Sequence, residues 1–210
     1  MANNRALVLI DIQNDFLPGG ALAVADGDAV IDVANQLSER FDLVVATQDW
    51  HPENHGSFAA NHPGKQPGDR IELDGLDQIL WPIHCVQRTR GAQFAERLAD
   101  IERAKVFPKG TNPSVDSYSG FFDNGRRVAT GLGSFLKAEG VTDLYLMGLA
   151  TDYCVLFTVL DACQLGFQSY VVTDGCRAVN LQPGDDLRAL DQMKKAGAAI
   201  IASKSMKAHE

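Results

Sequence analysis

Short, nearly continuous apolar runs alternate along this chain with segments whose apolar residues recur at helical spacing. The first run, Ala6 to Ile12, is rich in β-branched residues, as expected of a strand covered on both faces. It carries Asp11 at its carboxyl end; Gln13-Asn14-Asp15-Phe16 follows, and Pro18-Gly19-Gly20 turns the chain away. A helix is predicted from about Asp28 to Phe41, with Val30, Val33, Ala34, Leu37 and Phe41 on one face. The second strand, Leu43 to Gln48, runs into Asp49-Trp50-His51. In extended backbone, residues two apart point the same way, so the Asp49 carboxylate and the His51 imidazole can meet one ion.

Pro52 to Asp69 is a long loop holding His55 and His62, and long loops without regular structure tend to be functional or disordered. Ile71 to Leu80 reads as a short strand and turn, followed by Trp81-Pro82-Ile83-His84-Cys85, which displays a further imidazole on a proline-constrained segment. Gln93 to Ala99 reads as a short helix, and a third strand, Ala104 to Phe107, ends at Pro108-Lys109-Gly110. Asp116 to Phe122 forms an aromatic loop that either walls a pocket or, through Phe121 and Phe122, joins the core. Asn124 to Gly140 has helical spacing; its Gly131-Leu132-Gly133 lacks the preceding strand and third glycine of a dinucleotide fingerprint.

The fourth strand begins at Leu144 and stops at Gly148, and Leu149 to Cys154 leads into a helix through Gln164. Thr151 is the expected N-cap, which puts Cys154 in the first helical turn, where the helix dipole favours a thiolate and lowers the thiol's pKa. Strands Ser169 to Thr173 and Ala198 to Ala202 follow, separated by a helix from Asp186 to Ala196 capped by Gly197. The alternation predicts an α/β fold: a six-stranded parallel sheet between two helical layers, in one domain spanning residues 1–210. In such sheets ligands bind beyond the carboxyl ends of the strands, the edge that receives Asp11, Asp49, His51, Lys109 and Cys154.

Composition narrows the function. Hydrophobic residues at 45% and charged residues at 22% are ordinary for a globular protein. The net charge of −8 argues against nucleic acid and anionic membrane surfaces as partners and fits a small neutral or cationic ligand. The four cysteines form no CxxC pair, so a disulfide framework or cysteine zinc site is not indicated, and a reducing, cytoplasmic setting is expected. The apolar part of Met1 to Ile12 is too short for a signal peptide, and no stretch approaches the length of a membrane span.

The chemistry at the sheet edge is acyl transfer to a thiol followed by hydrolysis. Asp11 can take the Cys154 proton, Lys109 can hold the thiolate, and the backbone N–H groups of Ala150 and Cys154 can face an oxyanion. Asp49, His51 and His84 give one carboxylate and two imidazoles, a set suited to a single divalent ion, zinc first, with iron or manganese as alternatives.

Asp11-Ile12-Gln13-Asn14-Asp15-Phe16, Asp49-Trp50-His51-Pro52, Trp81 to Cys85, Phe107-Pro108-Lys109-Gly110 and Gly148 to Val155 together resemble the nicotinamidase (pyrazinamidase) branch of the isochorismatase-like cysteine hydrolases, over essentially the whole chain. The resemblance implies the isochorismatase-like hydrolase fold and an Asp11, Lys109, Cys154 triad. It also implies a metal on Asp49, His51 and His84, and an oxyanion hole from Ala150 and Cys154 with a cis Leu149-Ala150 peptide. Phe16, Trp81 and Tyr118 would wall the ring, the metal would take the pyridine nitrogen, and nicotinamide would be hydrolysed to nicotinate and ammonia in NAD salvage, with pyrazinamide as a second substrate. Whether His55 or Ser57 also reaches the metal stays open, as does homo-oligomer formation. Two alternatives stand beside this reading: a relative acting on a carbamoyl or ureido substrate, and a metal-hydroxide hydrolase with a structural Cys154.

Overall fold

The computed structural model describes residues 4–99 and 101–206, so the first three residues of the Met1–Ile12 segment lie outside the described residues. Six strands, β1 (Arg5–Ile10), β2 (Val44–Asp49), β5 (Lys105–Lys109), β6 (Asp143–Leu149), β7 (Gln168–Arg177) and β8 (Ala199–Ile201), form a wholly parallel sheet in the order β5-β2-β1-β6-β7-β8. A separate antiparallel hairpin pairs β3 (Arg70–Leu73) with β4 (Leu76–Ile79) through Asp74-Gly75. Both turn residues have positive φ, the primed-turn geometry that suits a two-residue hairpin.

The apolar runs form central strands for the reason their pattern suggests. Ala6 to Ile10 are consecutively buried, as are Leu146 to Leu149, so both sheet faces are covered there. Helix α1 (Ala29–Ser38) packs over β1, β6 and β7, while α3 (Leu156–Gln164) and α4 (Asp185–Lys195) pack on each other and against β7 and β8 respectively. The short α2 (Leu132–Ala138) anchors Leu132 and Leu136 in the core.

Several boundaries differ from the sequence reading. Gln93 to Ala99 is turns rather than a helix; its hydrogen bonds include Ala95 N–H to Ile12 carbonyl, which ties the segment to the end of the first strand. The helical part of Asn124 to Gly140 shrinks to α2. Strand β7 runs on to Arg177 past a bulge against β6, beyond the expected end at Thr173.

Chain direction reverses at the β1–β6 pair: successive strands go one way from β1 through β2 to β5 and the other way from β6 through β7 to β8. Such a switch point leaves a crevice at the carboxyl edge, because the connections on its two sides depart to opposite faces. Gly148 makes the close approach there possible. Its φ is +131°, and a Cβ would lie 2.0 Å from the Ile10 carbonyl oxygen, so only glycine lets β6 run this tightly against β1.

Candidate active site

Each catalytic candidate is placed by the end of a neighbouring strand. Asp11 follows β1 with a φ of +49°, and its Oδ1 accepts a 2.7 Å hydrogen bond from Thr47 Oγ1 on β2. Asp49 and Lys109 are register partners, the last residues of β2 and β5. Cys154 lies in a π-type helical turn, Thr151–Val155, between β6 and α3. Thr151 is therefore inside the turn: Ala150, with ψ of 151°, is the N-cap, and it contributes no side-chain cap. The Leu149-Ala150 peptide is cis.

Lys109 is the hub. Its ammonium is fully buried, donates to Asp49 Oδ1 and to the Ser117 carbonyl at 2.8 Å, stands 2.9 Å from Asp11 Oδ2 and reaches Cys154 Sγ at 3.4 Å. Burial disfavours its charge, but Asp11 and Asp49 outweigh that and push its pKa well above the usual lysine range. Burial raises the Asp11 carboxyl above the usual range, even against Lys109. Its Oδ2 has no aligned hydrogen-bond donor, so a lone pair is left for an incoming proton.

The cysteine departs from expectation. Burial pushes the Cys154 thiol well up; Lys109 opposes this, while Asp11 and Asp49 add to it. Desolvation next to two carboxylates thus favours the thiol over the thiolate. A nearby base is then required, and Asp11 lies with Asp49 and Cys154 in one buried group whose ligand atoms are all within 4.8 Å of one another.

Asp49, His51 and His84 form a second buried group of that compactness. His51 Nε2 lies 3.6 Å and His84 Nε2 3.9 Å from Asp49 Oδ2. The other ring nitrogens are taken: His51 Nδ1 sits 2.9 Å from the Gly110 carbonyl and His84 Nδ1 2.8 Å from that of Pro82. A carbonyl only accepts, so both Nδ1 atoms carry the proton and both Nε2 lone pairs face Asp49, as metal ligands require. Charge agrees with this. In ionised form, the buried carboxylates Asp11, Asp49 and Asp116 outnumber the one buried ammonium of Lys109, and a divalent cation would balance the excess.

Electrostatics separates the imidazoles. Burial lowers His84 to about 4, aided by His51; burial likewise lowers His55 to about 4. Burial also opposes protonation of His51, but Asp49 outweighs it and raises His51. Burial disfavours the Asp49 anion too, yet Lys109 and His51 hold its carboxyl below the usual carboxylate range.

The expected ring walls Phe16, Trp81 and Tyr118 all line one small cavity with Asp49, His84 and Cys154. Trp81 Nε1 and Gln78 Nε2 both donate to the Tyr118 hydroxyl, at 3.2 and 3.1 Å. Phe121 and Phe122 instead belong to the core. Near the metal set, Ser57 Oγ is engaged with His55 Nδ1 at 2.7 Å, and His55 Nε2 is buried without a partner among the described residues.

Sequence reasoning missed several contributors. Gln13 donates to the Asp49 carbonyl and accepts from the Asp49 N–H, both at 2.8 Å, clamping that residue. Phe58 is wholly buried against the rings of His51, His55 and His84. Tyr153 and Val179 also line the cavity. Only Gln13 left a sequence signal, as a polar residue directly after the first apolar run.

A parallel α/β sheet with a cysteine, lysine and aspartate at its switch point, beside a carboxylate–bis-imidazole set, has the groups a hydrolase needs. The family model described as the isochorismatase domain matches residues 5–205, and the chain belongs to that family. It is 56% identical to the nicotinamidase of Escherichia coli (strain K12), over 93% of each chain. The solved nicotinamidase/pyrazinamidase of Acinetobacter baumannii superposes with a TM-score of 0.92 at 48% identity, covering 96% of this chain and 97% of that one. The pyrazinamidase of Pyrococcus horikoshii, solved in complex with zinc, superposes with a TM-score of 0.78 at 38% identity, covering 95% and 99%.

Proposed function

We propose that this chain is a nicotinamidase that hydrolyses nicotinamide to nicotinate and ammonia through a Cys154 thioester, with pyrazinamide as a second substrate. The observation that carries the reading is Lys109, whose buried ammonium stands 3.4 Å from Cys154 Sγ and 2.9 Å from Asp11 Oδ2 beside the imidazole set. Identity to curated nicotinamidases supports the substrate.

As Cys154 Sγ attacks the amide carbon, its proton passes to Asp11 Oδ2. Lys109 stabilises the sulfur's negative charge as it develops, and the N–H groups of Ala150 and Cys154 receive the oxyanion. Collapse of the tetrahedral adduct breaks the C–N bond, Asp11 returns its proton to nitrogen, and ammonia departs. Asp11 then takes a proton from water as its oxygen attacks the thioester carbon; the C–S bond breaks, Asp11 passes that proton to sulfur to restore the thiol, and the acid leaves as nicotinate with its remaining proton lost to solvent. Phe16, Trp81 and Tyr118 clamp the ring and exclude water. Asp49, His51 and His84 would hold one divalent ion, zinc by analogy with the Pyrococcus protein, supplying a Lewis-acidic anchor for the ring nitrogen.

One hydrophobic core draws residues from Ala6 to Ala198, which supports a single domain. Four unpaired cysteines support a reducing compartment, and among the described residues no helix is long and apolar enough to cross a membrane. The test is ammonia release from the purified protein on adding nicotinamide or pyrazinamide. Turnover of both is expected; no ammonia from either, with the metal bound, would overturn the assignment.

A further inference from the structure

The cavity above Cys154 has a volume of about 30 Å³, on the scale of a water or two. A pyridine ring with its carboxamide is several times larger, so one wall must move before substrate enters. Three other walls are tied. The Val179 and Asn180 N–H groups donate to the two Asp152 carboxylate oxygens at 2.9 and 2.7 Å. The Phe16 segment is pinned by backbone bonds from Val24 to Phe16 and from Leu22 to Asp15, and by the Asp15 carboxylate on the Cys85 N–H. Tyr118 is held through its hydroxyl by Gln78 and Trp81.

Tyr153 differs. It is half-buried, its hydroxyl makes no hydrogen bond among the described residues, and its ring touches Trp81 and Tyr118 through edge-on contacts at 4.8 and 5.5 Å. It also lines a second, outer groove of about 490 Å³ bounded by the β3–β4 hairpin and helices α3 and α4, including Leu156, Phe157, Leu181 and Gln192. Tyr118 lines both spaces as well, but its hydroxyl is held, so the untied ring between the small inner cavity and the roomier outer groove is that of Tyr153.

We infer that Tyr153 is the gate of the active site, swinging into the groove beside Phe157 and Leu181, and that this groove is the path by which the flat, neutral aromatic amide reaches Cys154. A change of side-chain rotamer suffices, and it leaves the Ala150–Cys154 backbone in place. The identity of the passenger rests on the nicotinamidase reading, whereas the gate itself does not.

The test follows carbamidomethylation of Cys154 by iodoacetamide, read by peptide mass spectrometry so that Cys163 is scored separately. Open states of such two-state elements are populated at about 0.1–10%, so Tyr153→Ala is expected to raise the Cys154 rate by about tenfold or more. Tyr153→Phe should react at the wild-type rate, since the hydroxyl holds nothing. Val179→Ala should gain less than Tyr153→Ala. Leu181→Trp, which adds bulk to the groove outside the cavity, should slow both alkylation and kcat/KM for nicotinamide, and it serves if Tyr153→Ala fails to fold. A wild-type alkylation rate in folded Tyr153→Ala, or in Leu181→Trp, overturns the gate. Failure of the wild-type protein to release ammonia overturns the passenger and leaves the alkylation result standing.

Discussion

Asp49 serves two neighbours at once: its Oδ1 accepts from Lys109 and its Oδ2 faces His51 and His84. Its carboxylate therefore couples the two imidazoles to the Lys109 ammonium, and each group is positioned by what supports it. Gly110 shows how tightly. Its φ is +62°, and a Cβ there would lie 2.3 Å from His51 Cε1, so Gly110→Ala must displace that ring. We expect Gly110→Ala to lower metal affinity by about 10- to 100-fold, the usual cost of disturbing a ligand's support, read by titration with zinc. The raised Cys154 pKa makes a second prediction. At neutral pH the resting residue is a thiol, so the ultraviolet thiolate difference between wild type and Cys154→Ala should be absent, growing only as pH rises into the alkaline range. A full thiolate band at pH 7 would show that Lys109 outweighs burial.

At the scale of elements, the strand ends do the positioning. β1 and β6 flank the switch point, and their close approach depends on Gly148. Gly148→Ala should destabilise the fold by ~2 kcal/mol or more, because an alanine at this φ is strained and its methyl meets the Ile10 carbonyl. Thermal melting reads this directly; an unchanged Tm would contradict it. The strands and their chemically distinct ends were legible because parallel central strands need unbroken apolar runs, and a polar residue at such a run's end stands out. What was not legible has physical reasons. The Gln93–Ala99 periodicity was overridden by backbone pairing to Ile12. Thr151 has the chemistry of an N-cap, but the turn starts one residue earlier and is π-type. The thiol's raised pKa depends first on burial and then on two carboxylates brought in from other strands, which local sequence cannot reveal. Phe58 and Tyr153 look like any aromatic until the loop and the helical turn carrying them are folded around the site.

On the scale of the whole molecule, the metal should act as a stability ligand as well as an anchor. An ion that binds only the folded chain stabilises it by about 2.7 kcal/mol at a hundredfold excess over Kd, and each kcal/mol is worth ~2–4 °C in Tm for a chain of this size. Chelation should thus lower Tm by several degrees, and zinc should restore it; calorimetry with and without chelator checks this. The negative net charge suits a neutral amide entering and an anionic acid leaving.

The central claim is that a thiol performs the chemistry while Asp49, His51 and His84 hold a metal for positioning. The direct measurement is ammonia release from nicotinamide by Cys154→Ala, with bound metal quantified on the same sample. The account predicts a loss of ~10⁴-fold or more in kcat with metal content unchanged. Retained turnover in the metal-loaded variant would contradict it.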